Sequence, residues 1–205
     1  MQTDPVGTKD DLHLYAYVKN DPINGTDPTG LCQIVDGKEV GLCGDSKEGT
    51  ARVNEALSDP NARQTRQLEQ TMVSQGYRVG VHVTGGSSNA VINPNAPPDK
   101  AFTVALSRNQ KITVQYDNGE IGTERATDNE NAEHEFSHIT DILFGTDTDA
   151  QVNATGYDDQ NPREDTAVNR ENDYLQNSGA GYVRYCYSCS IDDAKRRERE
   201  IHGDE

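Results

Sequence analysis

An α+β domain is the fold class this sequence predicts, and three observations carry the prediction. Stretches with a 3.6-residue apolar period flank stretches that alternate every second residue, in the order helix, small sheet, helix, loop, helix. The chain of 205 residues is 32% hydrophobic with a mean hydropathy of −0.87, enough for one modest core plus polar ends. No internal repeat is visible, so a solenoid or propeller is not expected.

Charge narrows the function classes. A formal net charge of −16 makes a nucleic-acid groove unattractive, because phosphate binding depends on Lys and Arg neutralising the backbone. A locally basic partner suits this chain better. No run approaches the roughly 20 apolar residues of a membrane span, and the polar start MQTDPVGTKDD lacks the apolar centre of a signal peptide.

Taken in order, residues 1–31 hold one short aromatic strand-like run, Leu12 to Val18, behind Asp-Pro, Asn-Gly and Thr-Gly turn signals. Such a piece cannot bury a core alone, and it is expected to be the tail of another domain. Residues 49–58 and 60–75 read as helices, with Pro60 suited to a helix start and Gly76 to a helix end. YRVGVHVT, residues 77–84, alternates and is rich in β-branched residues, so it reads as a strand. GGSSNAVINPNAPPD reads as a loop, and residues 101–116 as two strands of a small antiparallel hairpin. Helical periodicity returns over 128–144 and 163–177, separated by the acidic stretch GTDTDAQVNATGYDDQNP. The ending DDAKRREREIHGDE reads as a solvated helix carrying ion pairs.

The chemistry concentrates in NAEHEFSHITD, residues 131–141. At about 100° per residue, Ala132, Phe136, Ile139 and Leu143 form one apolar stripe, with His134 and His138 nearly opposite. Histidines four apart project together, the spacing that lets two imidazoles clamp one ion. Glu135 lies about a quarter-turn away, where it can reach a water activated by the ion without being a ligand. Asp141 returns to the histidine face and could orient an imidazole N–H.

A catalytic zinc needs a third protein ligand and an open position. One source is the helix over 161–176, whose stripe Glu164, Val168, Glu171 and Leu175 mixes carboxylates with apolar residues. The other is the acidic loop, through Asp147 or Asp149. Cys32 with Cys43, and Cys186 with Cys189, leave three states open: disulfides tying the ends of the domain together, free thiols, or a four-thiolate metal site. His13, His82 and His202 are isolated and read as surface or strand positions.

Two resemblances add to this. LYAYVKNDPINGTDPTGL resembles the end of the core region of Rhs (YD-repeat) proteins, whose β-cage encloses a variable C-terminal toxin. The resemblance covers about residues 2–31 and implies autocleavage after the closing Asp27-Pro28-Thr29-Gly30-Leu31, releasing residues 32–205 as an effector. HEFSHITD, then EDTAVNRENDYL and GAGYVRYCY, resemble the M91-type effector peptidases and related zincin toxins over about residues 131–187.

That second resemblance implies a zincin-like metallopeptidase domain with His134, His138 and Glu164 as zinc ligands and Glu135 as general base. Asp149 is the alternative third ligand, in an aspzincin arrangement. Glu171 and Asn172 match a Glu-Asn pair, and Arg184 and Tyr187 an Arg-x-x-Tyr pair. Tyr187, Tyr185 or Arg184 is then expected to donate to the tetrahedral oxyanion, and the 101–116 hairpin to align an extended substrate. The implied partners are a target-cell protein substrate, a cognate immunity protein and the Rhs cage of the parent chain, which would also carry the export signal. A metal-dependent nuclease tip and a non-catalytic binding tip are the competing readings.

Overall fold

The computed structural model describes residues 32–144 and 162–202. The proposed Rhs tail with Asp27, Gly30 and Leu31, together with His13, Asp147 and Asp149, lies outside the described residues. Among the described residues the fold is α+β, as the periodicities require, with five helices and two sheets. No described helix is long and apolar enough to cross a membrane.

The larger sheet begins with β1 (Gln33–Val35) and β2 (Lys38–Gly44), joined by an Asp36-Gly37 turn in which both residues have positive φ. That is the geometry a tight two-residue hairpin demands of an Asp-Gly pair. Helices α1 (Lys47–Ser58) and α2 (Arg63–Gln75) lead to β3 (Arg78–Thr84), followed by β4 (Asn89–Ile92) and β5 (Phe102–Ser107). Ser46 caps α1 by accepting from the Gly49 N–H at 3.0 Å, and Gly76, at φ 73°, ends α2. Pro60 lies in the turn before α2, not in the helix.

The strand order is β1-β2-β3-β5-β4, with β2, β3 and β5 parallel and β1 and β4 antiparallel on the two edges. Phe102, Val104 and Leu106 with Val79, Val81 and Leu42 present one apolar face, which α1, α2 and the histidine helix cover together.

The expected 101–116 hairpin does not form. β5 pairs with β3 and β4, whereas β6 (Lys111–Tyr116) starts a second sheet in the order β7-β6-β8. The hairpin of this region is instead β6 with β7 (Ile121–Arg125), turning through Asp117-Asn118-Gly119-Glu120, with Gly119 at φ 85°. The segment read as a plain loop contains β4, where Asn89 to Ile92 pair with Ala105 to Phe102. Four residues bounded by Asn and Pro are too few for alternation to be visible in the sequence.

The histidine helix, α3 (Asp128–Phe144), puts Ala132, Phe136 and Ile139 into the sheet core, as the stripe predicts. Its other side is covered by α4 (Pro162–Ser178), so residues 130–141 are all buried. β8 (Tyr182–Arg184) follows α4 and pairs with β6, and α5 (Ile191–His202) packs beside β7. His82 and His202 are exposed, as read from sequence.

Both cysteine pairs are disulfides, Cys32–Cys43 and Cys186–Cys189, so a four-thiolate metal site is excluded. Neither ties the ends of the domain together: one staples β1 to β2, and the other closes a four-residue loop after β8.

Burying α3 requires an answer for each of its carboxyls. Glu133 supplies the N-terminal cap that Ala62 cannot give α2: its carboxylate accepts from Thr65 N at 2.9 Å, Thr65 Oγ1 at 2.6 Å and Gln64 N at 3.1 Å. Asp141 pairs with Arg170 of α4. Glu130 closes a capping box, accepting from Thr127 N at 3.0 Å while its own N–H donates to Thr127 Oγ1 at 3.2 Å. Glu133→Ala would leave three donors without an acceptor, and should lower the unfolding free energy by ~3 kcal/mol in urea titration.

Candidate metal centre

Two helices build the centre. From α3, His134 and His138 project across the helix interface, and from the first turn of α4 Glu164 meets them. One Glu164 oxygen lies 3.3 Å from His134 Nε2 and 3.5 Å from His138 Nε2. Ligand atoms of all three residues fall within 4.8 Å of one another. His134 is 1% exposed, His138 8% and Glu164 9%, so the histidines do not form the solvated face of an isolated amphipathic helix.

The donor set fits a divalent cation. His134 Nε2 and Glu164 Oε2 are buried without a hydrogen-bond partner, although each sits beside the other. Two imidazoles and one carboxylate, leaving a further position open, are the ligand chemistry of catalytic zinc sites. The surroundings also favour positive charge. Burial alone would depress the His134 pKa, but the carboxylates of Glu164 and Glu171 beside its two ring nitrogens override it and raise the imidazole to about 9. Burial pushes Glu164 the other way, yet the two histidines hold it down at about 2.

Behind the ligands lies a supporting layer. His134 Nδ1 donates to Glu171 Oε2 at 2.8 Å, which leaves Nε2 with a lone pair for an ion. Arg184 of β8 donates to the same oxygen at 2.7 Å, and both side chains are almost completely buried. The remaining guanidinium nitrogens donate to Cys186 O at 3.2 Å and Tyr187 O at 2.9 Å. Arg184 is therefore committed to holding Glu171 and the loop closed by Cys186–Cys189. Asn172 ties β8 to α4 through Arg184 N at 2.6 Å and Arg184 O at 2.9 Å.

Tyr187 lies nearly parallel to the His134 ring at 5.3 Å, with the Arg184 guanidinium 5.0 Å from its centroid. Tyr185 bonds through its backbone to Thr113 in β6.

Glu135 is 2% exposed and, alone among the carboxyls of α3, meets no hydrogen-bond donor among the described residues. Burial raises its pKa, against the opposing pull of His134 and His138. A buried carboxylate beside the histidine pair with its lone pairs uncommitted is positioned to take a proton.

The structure thus brings together His134, His138, Glu164, Glu135, Arg184 and Tyr187 from the sequence-predicted set. Sequence reasoning placed Glu171 on a motif but assigned it no contact with His134. It missed Glu130 altogether, although Thr-x-x-Glu at 127–130 was a visible capping-box signal. No family model, no curated protein and no solved structure matches this chain.

Removing one partner of the buried Arg184–Glu171 pair strands the other charge. Arg184→Met should destabilise the protein by about 3–5 kcal/mol in urea unfolding. Adding Glu171→Gln should recover at least half of that loss.

Proposed function

We propose that this chain is a zinc-dependent endopeptidase effector, released from an Rhs protein and acting on a protein in the cell it enters. The observation that carries the reading is the convergence of His134, His138 and Glu164, with Glu135 one residue from a ligand and without a hydrogen-bond donor among the described residues. An ion held by these three residues would polarise a peptide carbonyl and make water acidic enough to attack near neutral pH. Zinc is the choice that suits two nitrogens and one oxygen donor.

The residues of the chain then divide the work. Glu135 accepts the proton of the attacking water and passes it to the amine that leaves. Glu171 keeps the proton of His134 on Nδ1 and the ring fixed. Tyr187, against His134, is the side chain best placed to donate to the developing oxyanion, because Arg184 has spent its donors inside the fold.

An extended substrate needs a free strand edge. Neither strand of residues 101–116 offers one, since β5 and β6 each have strands on both sides. β4 does: it is one edge strand of the larger sheet, it packs beside α3, and Val91 at its middle is 56% exposed.

The test uses the full chain. Purified protein should carry about one zinc per chain by elemental analysis. Glu135→Gln should keep that zinc but lose toxicity on expression in cells and lose cleavage of a labelled unstructured protein by 10²-fold or more. His134→Ala/His138→Ala should lose both the zinc and the activities. Absence of zinc, or toxicity that survives in both variants, would refute the reading.

A further inference from the structure

Glu130 has so far only a capping role, yet its side chain is completely buried beside the supporting layer of the metal centre. Its Oε2 accepts from Thr127 N at 3.0 Å and from the Tyr182 hydroxyl at 3.3 Å. Its Oε1 is buried with no such partner, and so is Oε1 of Glu171. The two carboxyls lie within hydrogen-bonding reach of each other. Neither leftover oxygen can be satisfied while both groups are ionised, because two carboxylates at that separation repel and neither has a proton to give.

One shared proton resolves both orphans, and the neighbours decide who holds it. Glu171 faces the Arg184 guanidinium and the His134 N–H, which keep it ionised. Among the described residues Glu130 makes no ion pair, and the pull of Arg184 on it is weaker than the push of burial and of Glu171. Its two inbound hydrogen bonds end on one oxygen, as on the carbonyl of a neutral acid, and leave the other free to carry O–H.

We propose that Glu130 is a neutral carboxylic acid whose O–H donates to Glu171, making it a positioning residue that fixes His134 for metal binding through Glu171. The positioning role rests on the zinc reading above; the shared proton does not. With Oε1 held by Glu130 and Oε2 by His134 and Arg184, the Glu171 carboxylate is fixed at both ends. Burial first and the Glu171 charge second push Glu130 up to about 8, in keeping with a proton retained at neutral pH. Asn or Gln could donate in the same place, whereas an apolar side chain could not.

The experiment compares full-chain wild type, Glu130→Gln and Glu130→Leu. Infrared difference spectra at pH 6 should show one carboxylic-acid carbonyl stretch in wild type that is absent from Glu130→Gln. Zinc affinity by chelator competition should stay within about threefold in Glu130→Gln and fall about tenfold or more in Glu130→Leu. Absence of a Glu130-dependent acid band overturns the proposal, and so does a folded Glu130→Leu that binds zinc like wild type. Should the leucine variant not fold, the band and the glutamine rescue still decide. A wild-type chain that shows the band and binds no zinc overturns the zinc reading and, with it, the positioning role.

Discussion

Helix α3 carries Glu130, Glu133, Glu135 and Asp141 into the interior together with two histidines, and the surrounding structure is arranged to accommodate them. An uncompensated buried carboxylate costs a large share of a small domain's stability, and most of these carboxyls meet donors, a cation or a proton from the elements packed on α3. α2 brings its N-terminal N–H groups to Glu133, and α4 brings Arg170 to Asp141. β8 supplies Arg184 to the layer behind the histidines. The apolar stripe of the same helix seats against the large sheet, so the packing that fixes its position is separate from the polar contacts that define its chemistry.

This division explains why the fold needs two sheets. The five-stranded sheet with α1 and α2 covers one side of α3 and supplies no ligand. The small sheet anchors β8, whose pairing with β6 places Arg184 beside Glu171. From there Arg184 holds the carbonyls of Cys186 and Tyr187, and the disulfide-closed loop lays Tyr187 along His134. The connection between β5 and β6 therefore does more than turn a hairpin: it hands the chain from the sheet that supports α3 to the sheet that completes the centre.

How much of this the sequence disclosed follows from which interactions are local. The pair His134 and His138, the place of Glu135 beside them and the apolar stripe depend only on helical spacing, and all were legible. Glu164 was legible as a carboxylate on a half-buried stripe, though not as a contact, since its distance from the histidines depends on how two helices cross. The same reasoning assigned hairpin partners to residues 101–116 because adjacent strands usually pair, and here β5 is claimed by β3 instead. Glu130 escaped because a capping glutamate is a complete explanation in one dimension, and its second neighbour arrives from 41 positions along the chain.

The charges around the centre close in a way that favours one kind of occupant. Arg184 and Glu171 neutralise each other, Glu130 holds its proton, and Glu133 and Asp141 are satisfied elsewhere. What remains beside two imidazoles is the pair Glu164 and Glu135, one in the ligand set and one next to it. When the imidazoles are neutral, as metal ligands must be, these two carboxylates leave a local charge near minus two. A divalent cation would balance that charge, and its field would favour the ionised form of Glu135 against the burial that raises its pKa. On the proposed reading, the charge that would make a neighbouring water acidic would also keep Glu135 ready to accept its proton.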